Sequence, residues 1–192
     1  MAGAGYHFKL PSAYLHPLLG DERVKIGGRE FEVMTGAGHS PEQVMLYSKA
    51  DNLVLIGDQV LAKISPNVSV EAMDPEGDPL GAYLRSLERL KATLPEDVLV
   101  LPGHRLPFVG LHTRADELIA HHEARCMAVV EACKRGPQTV AELVPVIFGR
   151  KIDDPHQLVF AFSEALAHVN ILVRSGRLRI AKAEHGLALE AA

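Results

Sequence analysis

The chain has 192 residues, 47% of them hydrophobic, and a net charge of −4 with both signs interspersed. That length fits one medium domain or two small ones, and that composition excludes wholesale disorder. The charge balance excludes a surface given over entirely to nucleic acid, though it leaves room for a local basic patch.

Residues 1–22 read as irregular. The opening MAGAGYHFKLPSAY lacks the basic start and apolar core of a signal peptide. VKIGGREFEVM (24–34) predicts a hairpin with Gly27-Gly28 at its turn. VMLYS (44–48) and NLVLI (52–56) predict strands joined by Lys49-Ala50-Asp51, followed by a loop rich in Pro, Asn and Ser.

Asp78-Pro79 predicts a helix start, with Asp78 as N-cap and Pro79 in the first helical position. Leu80, Leu84, Leu87, Leu90 and Leu94 give that helix one apolar face, and Pro95 ends it. VLVL (98–101) reads as a strand buried on both faces.

The next helix is expected to start at Thr113, with Asp116 completing a capping box, and to stop at Gly136-Pro137. It contains both cysteines, Cys126 and Cys133. Their seven-residue spacing separates them by roughly 10 Å, too far for a bridge. Two reduced thiols suit a cytoplasmic protein. No apolar run approaches the roughly 20 residues of a membrane span.

Gly136 is also the expected domain boundary, separating residues 1–136 from 137–192. Beyond it, Thr139 and Glu142 predict a capping box for a helix to Phe148. A longer helix is expected from Asp154 to Arg174, closed by Ser175-Gly176, then a terminal hairpin turning at Glu184-His185.

Ten histidines are many for this length. Two of them share a pattern with one aspartate: an apolar strand, a glycine, then a potential ligand. The three places are EFEVMTGAG-His39, NLVLIG-Asp58 and VLVLPG-His104. With a helical crossover at 79–94, strand 98–101 should run parallel to 52–56. His39, Asp58 and His104 then lie beyond one edge of one sheet, where open α/β sheets place their sites. Two imidazoles and a carboxylate suit a first-row metal such as zinc, manganese or iron. His112, in GLHTR, could line the same cleft in a substrate or supporting role. His121 and His122 read as surface or packing residues of a helix, and His168 as a core or interface histidine.

G-H-S-P after a strand, G-D at the end of the second strand beyond it, and L-P-G-H after a helix and strand resemble the C-terminal half of the metallo-β-lactamase superfamily over residues 20–135. The resemblance implies half of an αββα sandwich, an α/β fold with a mixed sheet and covering helices, and a site for two divalent metal ions. His39 would belong to the first metal, His104 to the second, and Asp58 would bridge them as the catalytic carboxylate. A metal-bound hydroxide would attack an ester, thioester, amide or phosphodiester in a small-molecule substrate.

The family's first-half motif H-x-H-x-D-H is absent from these 192 residues. The expectation is therefore a C-terminal portion of a longer enzyme, inactive and weakly metal-binding alone. It should self-associate or pair with the missing N-terminal half through an exposed sheet face.

Residues 137–192 resemble the small winged-helix-like module that some hydrolases of this fold carry. The rival reading is thus a metal-free interaction or nucleic-acid-binding protein. Six basic and six acidic residues in that segment argue against a duplex binder, which shows a basic stripe.

Overall fold

A computed structural model describes residues 17–183 and 186–192. The expected irregular opening therefore lies mostly outside the described residues, as does the Glu184-His185 turn. Five strands form one sheet in the order β1 (Arg23–Ile26), β2 (Arg29–Gly36), β3 (Gln43–Ser48), β4 (Leu53–Gly57) and β5 (Leu99–Pro102). The first three pairings are antiparallel and β4–β5 is parallel. The parallel pair follows from the crossover helix α1 (Pro79–Thr93) between β4 and β5. Gly27 and Gly28 both take positive φ at the β1–β2 turn, which only glycine adopts without strain.

Helix α1 starts as its sequence requires: the Asp78 carboxylate accepts from the Gly81 N–H at 2.9 Å, with Pro79 next. Its Leu80, Leu87 and Leu90 are buried against one face of the sheet, which contributes Met45, Val54, Ile56 and Val100 to the same core. The opposite face is also apolar. Cross-strand partners Leu46, Leu55 and Leu101 share it with Leu53 and Leu99. Leu55 is 39% exposed and Leu99 38%. β5 is therefore buried on one face only, not on both, because the helices cover a single side of this edge strand. Toward β2 the second face is buried, at Phe31 and Val33.

Helix α2 (Leu111–Lys134) begins two residues before Thr113 and carries no capping box. Glu96, from the loop ahead of β5, accepts from the His112 N–H at 2.7 Å and the Thr113 hydroxyl at 3.1 Å. A carboxylate from outside the helix thus takes the role expected of Asp116, which instead pairs with Lys91 at 2.5 Å. Cys126 and Cys133 are free thiols buried along α2, and burial pushes the Cys126 thiol up to about 12.

Helix α3 (Val140–Phe148) has the capping box of Thr139 and Glu142. Helix α4 (Pro155–Arg174) has the Asp154 N-cap, and β6 (Leu178–Ala183) and β7 (Gly186–Ala191) pair as the terminal hairpin. One core runs from Met45 to Leu189 through both sides of residue 136. By length and composition alone, α4 is apolar enough to cross a membrane, contrary to the reading that no run approaches that length. It instead buries Ala165, Val169 and Leu172 in this core together with Glu164 and His168.

Candidate metal centre

Three loops leave the same edge of the sheet, after β2, β4 and β5. Gly38, at φ +114°, lies so close to α1 that a Cβ on it would stand 2.3 Å from Tyr83 Cβ. Only glycine lets this loop press onto the helix, and His39 follows directly. The β4 and β5 ends are tied by Gly103 N–H donating to the Gly57 carbonyl at 2.8 Å.

These loops bring His39, Asp58 and His104 together. His39 Nε2 lies 3.7 Å and His104 Nε2 3.2 Å from the same oxygen, Asp58 Oδ2. His39 and Asp58 are about three-quarters buried, whereas the His104 side chain is 66% exposed. His39 Nδ1 is 2.8 Å from the Asn67 carbonyl. A carbonyl only accepts, so Nδ1 carries a proton and Nε2 is the ring nitrogen turned toward Asp58. This is the arrangement of a histidine oriented for a metal.

The donor set suits a divalent cation. Two imidazole nitrogens meet a carboxylate, and Asp58 Oδ1 is buried without a hydrogen-bond partner. A buried carboxylate oxygen without a partner, beside two imidazole nitrogens, is a place that a bound cation would relieve. Yet both nitrogens lie against one oxygen. Among the described residues, no group of three or more His, Cys, Asp or Glu side chains is arranged to hold a metal ion.

His112 is not in this cleft. Its Nε2 is 2.7 Å from the Leu94 carbonyl and its Nδ1 3.4 Å from Glu96, at the start of β5, whereas His104 follows the strand's end. After His104 the chain doubles back, bridging Phe108 to Val100. Nearness to LPGH in sequence therefore carries His112 to the opposite edge of the sheet.

Several supporting residues had no sequence signal. Gln59, fully buried, donates from Nε2 to the Ala37 carbonyl at 3.1 Å, and its main-chain carbonyl accepts from the Tyr83 hydroxyl at 3.1 Å. It thereby clamps the His39 and Asp58 loops together. Deeper in, His168 Nδ1–H donates to the Glu164 carbonyl at 2.8 Å. Its Nε2 then accepts from His122 Nδ1–H at 3.2 Å, which leaves the buried His122 Nε2 without a partner. Burial first, then the neighbouring His168, holds His122 down to about 3. Burial, partly opposed by the Glu164 carbonyl, holds His168 down to about 4. Glu164 pairs with Arg125, and burial outweighs that partner to hold its carboxyl above the ordinary range. His168, expected in the core or at an interface, is fully buried in this network, and the acidic Glu164 among Ala161 and Ala165 is the second sequence hint of it.

A cleft of about 380 Å³ opens beside His39, lined also by Ser69, Glu71 and Asp74. A larger one, about 550 Å³, lies between α4 and the β6–β7 hairpin, away from the three residues.

The sequence profile described as "Metallo-beta-lactamase superfamily" matches residues 3–104, just over half of the chain. The chain belongs to the metallo-β-lactamase superfamily. A second profile of the superfamily, "Metallo-beta-lactamase-like, C-terminal domain", matches residues 126–188, from within α2 to the hairpin. A beta-lactamase domain protein from Burkholderia ambifaria is similar in structure: TM-score 0.89, 44% identity, over 96% of this chain and 54% of that one. A metallo-beta-lactamase family protein from Thermus thermophilus, TTHA1429, gives TM-score 0.79 and 33% identity, over 92% of this chain and 54% of that one. The "Probable metallo-hydrolase YqjP" of Bacillus subtilis (strain 168) is 27% identical over 79% of this chain and 47% of its own length. The chain spans about half the length of these relatives.

Proposed function

We propose that this chain supplies one half of a metal-dependent hydrolytic site of the metallo-β-lactamase superfamily. The observation that carries this is the convergence of His39 and His104 on Asp58 Oδ2 at the strand-end edge of the sheet. His39 and Asp58 would hold one divalent ion, and Asp58 and His104 a second, with zinc the expected metal and manganese or iron alternatives. Bound metal supplies Lewis-acid charge that activates water and stabilises a developing oxyanion. The chain's own part is to position. Asn67 fixes the His39 ring, Gln59 clamps the loops and Gly103 leaves room for Asp58. The cleft beside His39 is of a size that admits a small molecule. Relatives named as probable metallo-hydrolases support metal-dependent hydrolysis; an ester, thioester, amide or phosphodiester as the bond cleaved is what the family resemblance implies.

Three ligands leave a two-metal site incomplete, and H-x-H-x-D-H is absent here. The remaining ligands come from outside these 192 residues, and the exposed leucine face of the sheet is where such a half, or a second copy, would seat. Hydrolysis by this chain alone is then negligible. The test is an assay of the zinc-supplemented chain against chromogenic ester, thioester and phosphodiester substrates. Rates equal to those of His39→Ala are expected; turnover that disappears in His39→Ala would overturn the half-site reading.

A further inference from the structure

Helix α4 belongs to the C-terminal segment, yet it holds the long loop between β4 and α1. Val70 N–H donates to the Ser163 carbonyl at 3.2 Å, and Asn170 Nδ2 donates to the Gly77 carbonyl at 2.8 Å. Close to the first of these anchors sits Asn67. Its Nδ2 donates to Glu164 Oε2 at 3.3 Å, and its Oδ1 accepts from the Ser69 hydroxyl. Glu164 is itself immobilised: only 5% exposed, it takes Arg125 on its other oxygen. Both ends of the Asn67 side chain are therefore held, and its main-chain carbonyl accepts from His39 Nδ1–H. The chain of contacts runs from Arg125 through Glu164 and Asn67 to His39, over 97 residues of sequence between Asn67 and Glu164.

We propose that Glu164 is a positioning residue for His39: through Asn67 it fixes the tautomer and orientation of the ring, so that the C-terminal segment helps to build the metal half-site. This rests on the reading of His39 as a ligand. A carboxylate present only to neutralise Arg125 would be indifferent to Asn67 and would have no effect on an imidazole two residues removed from it. A metal-binding histidine, by contrast, depends on the group that takes its other ring N–H.

The test uses the 192-residue chain without metal at pH 8, observing the imidazole ¹⁵N signals of His39, assigned with His39→Gln. The native chain should show one tautomer, protonated at Nδ1. Asn67→Asp removes the donor that reaches Glu164, and Glu164→Ala removes the acceptor. In both, the two nitrogen signals should move toward each other as tautomers mix, and zinc affinity should fall about tenfold. Glu164→Gln keeps an oxygen for Asn67 and should restore the native His39 spectrum, which a charge-neutralising role alone would not require. Should Glu164→Ala fail to fold, Asn67→Asp decides alone. Unchanged His39 signals in folded Asn67→Asp would overturn the proposal. Zinc binding that survives His39→Ala would instead overturn the ligand reading, and the tautomer spectra would still decide whether Glu164 positions the ring.

Discussion

Gly103 lies against Asp58 so closely that a Cβ on it would stand 2.5 Å from Asp58 Oδ1. The glycine of L-P-G-H is thus explained by the carboxylate of the neighbouring loop, where its own strand geometry makes no such demand. Gly103→Ala should push Asp58 away from the two histidines. Zinc affinity, measured by competition with a chromogenic chelator, should fall about tenfold or more, while stability drops by only about 1–3 kcal/mol. Unaltered affinity would mean that the position of Asp58 is not what binds metal.

Most of the scaffold was legible because it is set by local chemistry. Gly27-Gly28, Asp78-Pro79 and the Thr139–Glu142 box each act within a few residues, and each forms as its sequence implies. The meeting of His39, Asp58 and His104 was legible too, because strand direction alone sends all three loops to one edge. What escaped is tertiary. Glu96 caps α2 from another loop, so no pattern inside α2 could signal its start. β5 is an edge strand with one covered face, which an apolar tetrapeptide cannot disclose. The return of the chain from Phe108 to Val100 moved His112 across the sheet. The Asn67–Glu164 contact joins residues 97 apart in sequence.

The buried histidine pair makes the fold sensitive to acid. His122 and His168 ordinarily titrate at 6.5 but are held down to about 3 and about 4. Below pH 6.5 the unfolded chain takes up protons that the folded chain refuses, so stability falls as pH drops, by about 1.4 kcal/mol per pH unit for each histidine. Around the pair, His121 and Arg125 on α2 act in the same sense, while Tyr83 on α1 contributes only an uncharged ring edge. Glu164, raised by burial, opposes the trend where it protonates, near and above its ordinary 4.5. Urea unfolding should therefore show a loss of roughly 2–4 kcal/mol between pH 7 and pH 5. Replacing both partners, His122→Leu with His168→Leu, should flatten that dependence. A native chain equally stable at both pH values would contradict this reading of the pair.

The second sheet face sets the association behaviour. Leu55 and Leu99 are the exposed centre of a leucine-lined surface, and such faces are covered when a partner is present. We expect the isolated chain to self-associate at micromolar concentration in sedimentation equilibrium. Leu55→Ser with Leu99→Ser should shift it toward monomer and make its unfolding midpoint independent of protein concentration. A monomeric native chain at all concentrations would show that this face needs no cover.

The most direct test of the half-site is a zinc titration of the native chain beside His39→Ala, Asp58→Ala, His104→Ala and His112→Ala. The native chain should bind zinc weakly. Each of the first three substitutions should reduce affinity at least tenfold, and His112→Ala, at the far edge of the sheet, should leave it unchanged. If all five proteins bind zinc alike, or if only His112→Ala loses it, the three residues beyond the strand ends do not form a metal site.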